Sequence, residues 1–260
     1  MMSGLEICGL AGAAVGAGAI NAVAGGGTLL TFPTLLALGV SPLTANATST
    51  LALVLGTSGG MFGNRKHLAP VRPWLRRLLP LSLLGGLIGS ALLTHTSNAT
   101  FGKLVPFLIL FSTLLFLTQG FFRRVAGLHL DTGGPDHPIH ISRTVIFFQF
   151  LVAIYGGYFG AGIGILMLAT LGFVGMHNIY EMNTLKTILG SLLNLVAAVW
   201  FIGAGLIDWP CAAVMTVGAV AGYFLGSHYS QRIPQARVRQ IITVIGFLIS
   251  GVTFYKEFVR

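Results

Sequence analysis

One lysine and two glycine runs hold most of the polar chemistry in this chain. Lys186 leads straight into Thr187-Ile188-Leu189, where a charge is expensive unless it faces a cavity or reaches back to the membrane interface. Asn183, Thr184 and Thr187 flank it. Asn194 lies eight residues on, close to two helical turns, and so on the same face of a helix. The first glycine run is Gly25-Gly26-Gly27, followed by Thr28, and Asn46, Thr48, Ser49 and Thr50 come soon after; Gly160, Gly162 and Gly164 form the second. Consecutive glycines break a helix and free backbone N–H groups, and a helix starting just beyond adds the positive end of its dipole. Such a break can hold an anion. The competing reading is close helix packing, which small residues at four-residue spacing provide without any ligand. That reading is preferred for Gly85/Gly89 and Gly222/Gly226. At the two breaks anion or substrate binding is preferred, because hydroxyl or amide side chains follow the glycines in both places. Each Ser or Thr taken singly is as well explained by a bond to its own i−4 carbonyl. For Lys186 both readings stand, substrate contact and snorkelling.

The elements that must position these groups are set by composition. Only 21 of 260 residues are charged (15 Lys and Arg, 6 Asp and Glu) against 54% hydrophobic residues and 36 glycines. A soluble domain carries about a quarter charged residues, so this is an all-α integral membrane protein. The net charge of +9 does not indicate nucleic acid, because the basic residues sit in short clusters between apolar runs. No metal site or disulfide framework is indicated: Cys8 and Cys211 both read as small buried apolar side chains, and His129, His137 and His140 belong to a turn-rich linker. No cofactor motif and no catalytic combination occurs, which argues against an enzyme. The first apolar stretch lacks a preceding Lys or Arg and reads as a retained segment.

Apolar runs fall at about 5–23, 28–39, 43–63, 74–95, 101–122, 144–161, 163–176, 184–206, 210–229 and 240–257. Two of them, 28–39 and 163–176, are shorter than the ~20 residues an untilted crossing needs. Sliding the chain by 137 positions superimposes Gly25 on Gly162, Gly27 on Gly164, Asn46 on Asn183, Thr50 on Thr187, Pro73 on Pro210 and Gly89 on Gly226. The expected organisation is two repeats of about five segments, 1–122 and 144–260, joined by a linker at 123–143. Each contains a short broken or re-entrant helix after its glycines. If each half crosses an odd number of times, 12 of the 15 Lys and Arg residues share one face, including Arg65, Lys66, Arg72, Arg76, Arg77, Arg123, Arg124, Arg143, Lys186, Arg232, Arg237 and Arg239. Lys103, Lys256 and Arg260 face the other way. The positive-inside rule then makes the repeats inverted, with both termini outside. Glu181 reads as interfacial, and Asp208 as a turn residue or helix cap.

The blocks Asn21…Gly25-Gly26-Gly27…Pro33…Pro42…Ala45-Asn46-Ala47-Thr48 and Met182-Asn183-Thr184-Leu185-Lys186…Asn194-Leu195-Val196-Ala197-Ala198…Gly205-Leu206-Ile207-Asp208-Trp209 resemble the sulfite exporter TauE/SafE transporters over nearly the whole chain. The resemblance implies a plasma-membrane transporter of small sulfur-containing or carboxylated anions such as sulfite, sulfoacetate and related organosulfonates. The expected function is therefore a secondary transporter, an exporter working by alternating access, with the site between the repeats. The alternatives are a passive anion channel and an intramembrane enzyme. The expected partners are the anion and the lipid bilayer, without nucleic acid; a homo-oligomer is compatible with the sequence.

Overall fold

A computed structural model of the chain describes residues 3–23, 25–63, 68–128, 143–173, 176, 179–229 and 235–258. They form ten helices and, among the described residues, no strand: α1 (Gly4–Val23), α2 (Thr28–Ala37), α3 (Pro42–Gly63), α4 (Leu68–Thr94), α5 (Asn98–Leu128), α6 (Arg143–Tyr158), α7 (Ile163–Phe173), α8 (Ile179–Gly203), α9 (Trp209–Tyr229) and α10 (Gln235–Phe258). Six of them (α1, α4, α5, α8, α9 and α10) are long and apolar enough to cross a membrane. Their outward faces are apolar, with Leu84, Ile88 and Leu92 on α4, Val217 and Phe224 on α9, and Leu248 and Val252 on α10 all exposed. Water would penalise such faces and lipid does not. The linker histidines His129, His137 and His140, together with Arg65, Lys66 and Arg232, lie outside the described residues. Helix α5 continues through Arg123 and Arg124 to Leu128.

The short helices are the buried ones. At ten and eleven residues, α2 and α7 are ~15–17 Å long, about half the ~30 Å hydrocarbon thickness. Eight of the 11 residues of α7, among them Ile163, Ile165, Met167, Leu168 and Leu171, are buried. On α2, Leu29, Thr31, Phe32 and Leu35 are buried. Both fold back on the preceding helix. A Cβ built on Gly27 would lie 2.6 Å from Ala17 O, and one on Gly16 would lie 3.0 Å from Leu30 Cδ2, so α2 runs antiparallel to α1. At the corresponding place in the second half, Gly156 touches Ile163.

The halves exchange helices. Helix α9 packs along α1 and against α3, while α4 packs along α6 and against α8. Glycine permits both close approaches. Gly218, Gly222 and Gly226 abut Ala11, Val15 and Ala19 in register, and Gly18 abuts Ala219. In the other pair Gly85 meets Phe150 and Ala153, Gly86 meets Gly157, and Gly89 meets Ile154 and Tyr158. Backbone against backbone is how membrane helices gain dispersion energy when apolar side chains have no water to escape. The packing reading of Gly85/Gly89 and Gly222/Gly226 therefore holds. It also makes α1 an integral member of the bundle.

Several helix ends meet at one end of the bundle. Leu43 N at the start of α3 donates to Asn98 Oδ1 at the start of α5 (3.2 Å), and Gly102 faces Pro42 and Glu257. Asp208 N, just before α9, donates to Thr48 Oγ1 (3.0 Å), and Trp200 Nε1 on α8 donates to Thr94 Oγ1 at the end of α4 (3.2 Å). Asp208 Oδ1 accepts from Cys211 N (3.0 Å), which makes it the helix cap the sequence suggested. Cys211 is buried as expected. Cys8 is not: it is exposed on α1, whose residues up to Gly9 are all exposed.

Candidate functional site

The two glycine breaks converge on α5. Gly26 has φ +126 and faces the ring of Phe116, so that a Cβ there would overlap it. Gly162 has φ +76, and its Cβ position lies 3.5 Å from Leu115 Cδ1 and 3.8 Å from both Phe116 Cε2 and Ser112 Cα. Phe116, fully buried, thus stands between the break of one half and the break of the other. Beside it the Tyr155 hydroxyl donates to Ala161 O (2.6 Å), and Ser112 Oγ lies 2.8 Å from that hydroxyl. These bonds hold the second break against α5 and satisfy a carbonyl that would be costly to leave bare in an apolar interior.

The first break differs from expectation. Its amides are not free: Gly25 N donates to Ile20 O (3.2 Å), and Gly26 N and Gly27 N both donate to Asn21 Oδ1 (2.9 and 3.2 Å). A carboxamide five residues upstream can reach both, and in an apolar surrounding the bonds it makes outweigh leaving two donors bare. Thr28, at the first position of α2, is half-buried.

The second break is more open in its bonding. Gly160 N donates to Tyr155 O (3.2 Å), Ile163 N to Gly160 O (3.2 Å) and Ile165 N to Gly162 O (3.0 Å). The amides of Gly162 and Gly164 donate to no described residue. They sit at the N-terminus of α7, where the helix dipole is positive. Lys186 of α8 lies across this turn: a Cβ on Gly164 would be 3.4 Å from its Cδ and 3.9 Å from its Cε. Its Nζ donates to Asn183 Oδ1 (3.1 Å). Asn194, two turns further along α8, approaches the same break, with its Oδ1 3.7 Å from the Cβ position of Gly160. The shared face of Lys186 and Asn194 is thus turned toward the glycines.

The other polar candidates divide. Thr184 is fully buried and Thr187 half-buried on α8. Asn46 is buried and donates from Nδ2 to Tyr158 O at the end of α6 (3.0 Å), a contact between the halves. Ser49 bonds Thr31 (2.6 Å), tying α3 to α2, and Thr48 is occupied by Asp208 N. Thr50 bonds Asn46 O (2.9 Å), its own i−4 carbonyl. Ser49 and Thr48 thus hold elements together, while Thr50 stays within its own helix. Phe116, Ser112, Tyr155 and the capping role of Asn21 had no advance signal beyond the polar atoms inside apolar runs. A groove of about 740 Å³ between α4 and α8, lined by Leu87, Leu195, Val199 and Trp200 among others, contains none of the break residues. Among the described residues no three His, Cys, Asp or Glu side chains gather to hold a metal ion.

Residues 10–253 match the family profile described as sulfite exporter TauE/SafE. The chain is 29% identical over 245 residues to a probable membrane transporter protein of Haemophilus influenzae, covering 92% of this chain and 90% of that protein. It is 27% identical over 252 residues to the probable membrane transporter protein YfcA of Escherichia coli K12, covering 93% and 87%. A third relative, the probable membrane transporter protein ORF9 of a Sinorhizobium species, is 25% identical over 243 residues, covering 90% and 87%. No solved structure matches.

Proposed function

The chain belongs to the sulfite exporter TauE/SafE family of multi-pass membrane transporters, and from that premise we propose that it exports a small sulfur-containing or organic anion, such as sulfite or an organosulfonate, by alternating access. The observation that carries this reading is the start of α7, where the amides of Gly162 and Gly164 donate to no described residue and Gly164 faces the Lys186 side chain. A sulfonate or sulfite presents several acceptor oxygens around one centre. Amide donors, a helix N-terminus and an ammonium group meet that demand, and hydrogen bonds to a charged group are about twice as strong as neutral ones. Asn183 positions the ammonium, Thr187 is the neighbouring donor, and the first break approaches across Phe116.

In this reading 1–122 and 144–260 are the two repeats, inverted with respect to each other. The basic joints at 64–77, 123–143 and 230–239 face the cytoplasm of a plasma-membrane protein with both termini outside. Reconstitution into vesicles tests it. Labelled sulfite or sulfonate should exchange faster when the opposite side holds the same anion, a trans-stimulation that a passive channel lacks. Lys186→Met keeps the apolar stem and removes the charge, and the affinity should fall about ten- to a hundredfold, the equivalent of ~1.5–3 kcal/mol. Lys186→Arg should restore only part, because its planar fork is bulkier than an ammonium. Unchanged affinity in Lys186→Met would place the lysine at the interface instead of the anion.

A further inference from the structure

Beside the C-terminal end of α6 lies a buried oxygen atom that has no donor among the described residues. Asn46 on α3 is 1% exposed, and its Nδ2 is committed to Tyr158 O (3.0 Å). Its Oδ1 accepts from no described residue. A carboxamide oxygen left so in an apolar interior costs about 1–3 kcal/mol, so such an atom commonly marks a place where something else binds. Tyr158 is the last residue of α6, whose final carbonyls lack partners within the helix and carry the negative end of its dipole. A second amide oxygen comes from α8. The position that a Cβ on Gly160 would occupy is 3.0 Å from Gly156 O and 3.7 Å from Asn194 Oδ1. The space that this glycine leaves open, at φ +76, is therefore bounded by oxygen. The rings of Phe32, Phe101, Tyr158 and Phe159 close over this helix end, with the Phe32 and Phe159 centroids 5.4 Å apart.

We propose that Asn46 Oδ1, Asn194 Oδ1 and the terminal carbonyls of α6 form a site for a monovalent cation, sodium by its chemistry, which is the coupling ion of transport. Neutral oxygen donors suit a hard cation, and the two carboxamides and the backbone carbonyls carry no formal charge to offset a double one. The Asn46 Nδ2 donor is already spent on Tyr158 O, so this carboxamide offers an incoming ion only its oxygen. Only Ala161 and Gly162 separate Gly160 from the first residue of α7. A cation at the negative end of α6 and an anion at the positive end of α7 thus occupy the two sides of one break, and each favours the other. The coupling role rests on the proposed anion transport; cation binding does not.

Thermal unfolding of the purified full-length protein in detergent tests the site, with chloride constant, sulfur anions absent, and sodium, lithium, potassium or choline as the cation. The wild type should melt at a higher temperature in sodium than in choline, with a saturable dependence on concentration. Asn46→Ala and Asn194→Ala each remove one of the oxygens and should each weaken sodium about tenfold. Identical melting of the wild type in sodium and choline overturns the site, and no variant has to fold for that result. So does a sodium effect equal in the wild type and both variants, which would leave Asn46 to a buried water. In vesicles, an imposed sodium gradient should drive anion accumulation by the wild type. Sodium-dependent melting without a response to the gradient overturns the coupling, and sodium-dependent melting without flux of any sulfur anion overturns the choice of substrate while leaving the site in place.

Discussion

Gly89 and Gly162 separate packing from binding, because the same small change meets different surroundings at each. In Gly89→Ala the new methyl would overlap Ile154 O and lie 2.8 Å from Tyr158 N and 3.0 Å from Gly157 C, all of them backbone. No side chain can turn away, so α4 and α6 must separate, and the neighbouring contacts of Gly85 with Ala153 and of Gly86 with Gly157 loosen with them. Overpacking of this kind costs about 1–3 kcal/mol. At roughly 2–4 °C per kcal/mol for a chain of this size, the midpoint should fall by some 2–12 °C. In Gly162→Ala the methyl meets Leu115 at 3.5 Å, an ordinary contact, so the cost is that of a left-handed backbone at φ +76, about 1–2 kcal/mol. The stability loss should be the smaller of the two, yet an amide at the start of α7 that donates to no described residue is disturbed. Transport per folded molecule should therefore fall further in Gly162→Ala than in Gly89→Ala. Thermal unfolding in detergent and initial exchange rates in vesicles, normalised to monodisperse protein, give the two numbers. If Gly89→Ala melts with the wild type, the close α4–α6 contact is wrong. If Gly162→Ala transports like the wild type, the second break is not where the anion binds.

Gly164→Ala places a methyl 3.4 Å from the flexible Lys186 Cδ, so the protein should fold normally while affinity for the anion drops several-fold at an unchanged maximal rate; an unaltered affinity would separate Lys186 from the break. Asn21→Ala strips the shared acceptor from Gly26 N and Gly27 N and should cost about 1–2 kcal/mol in thermal stability, with Asn21→Asp restoring most of it. In a Cys8- and Cys211-free background, cysteines at exposed Ser97 and Ala204 should react with an impermeant reagent from outside the cell, and one at Leu68 only from the cytoplasm. Labelling of all three from one side would remove the inverted arrangement.

Helix positions were legible because apolar runs and glycine or proline breaks translate directly into spans and joints. The run at 184–206 began late, since Glu181 and Asn183 are polar yet belong to the first turns of α8. Hydropathy cannot see a helix that starts in a polar layer. The ungapped shift of 137 pairs Gly25 with Gly162, whereas the bond of Gly25 N to Ile20 O recurs as Gly160 N to Tyr155 O, 135 positions on. Sequence matching followed residue type, and the chain geometry follows where each helix stops. That Gly85, Gly89, Gly222 and Gly226 pack closely was readable from spacing, but the partner was not, because a small-residue stripe says how near a neighbour comes and nothing about which neighbour it is. The proximity of Lys186 and Asn194 on one face was readable for a related reason: helical periodicity acts within one element. Phe116 lay beyond reach, since its place between the breaks depends on how three helices meet.

The exchange of helices has a consequence for how the chain is made. The glycine-lined face of α4 fits α6, and the small-residue face of α1 fits α9, so neither is covered by anything in its own half. At about 5–20 residues per second, a ribosome needs some 10–40 s to go from the end of α1 to the end of α9. Throughout that interval α1 sits in the bilayer with its narrow, backbone-exposing groove facing lipid or an insertion chaperone. A nascent chain arrested before residue 209 should therefore be a ready target for quality-control proteolysis, and co-expressing the second half as a separate polypeptide should rescue the first.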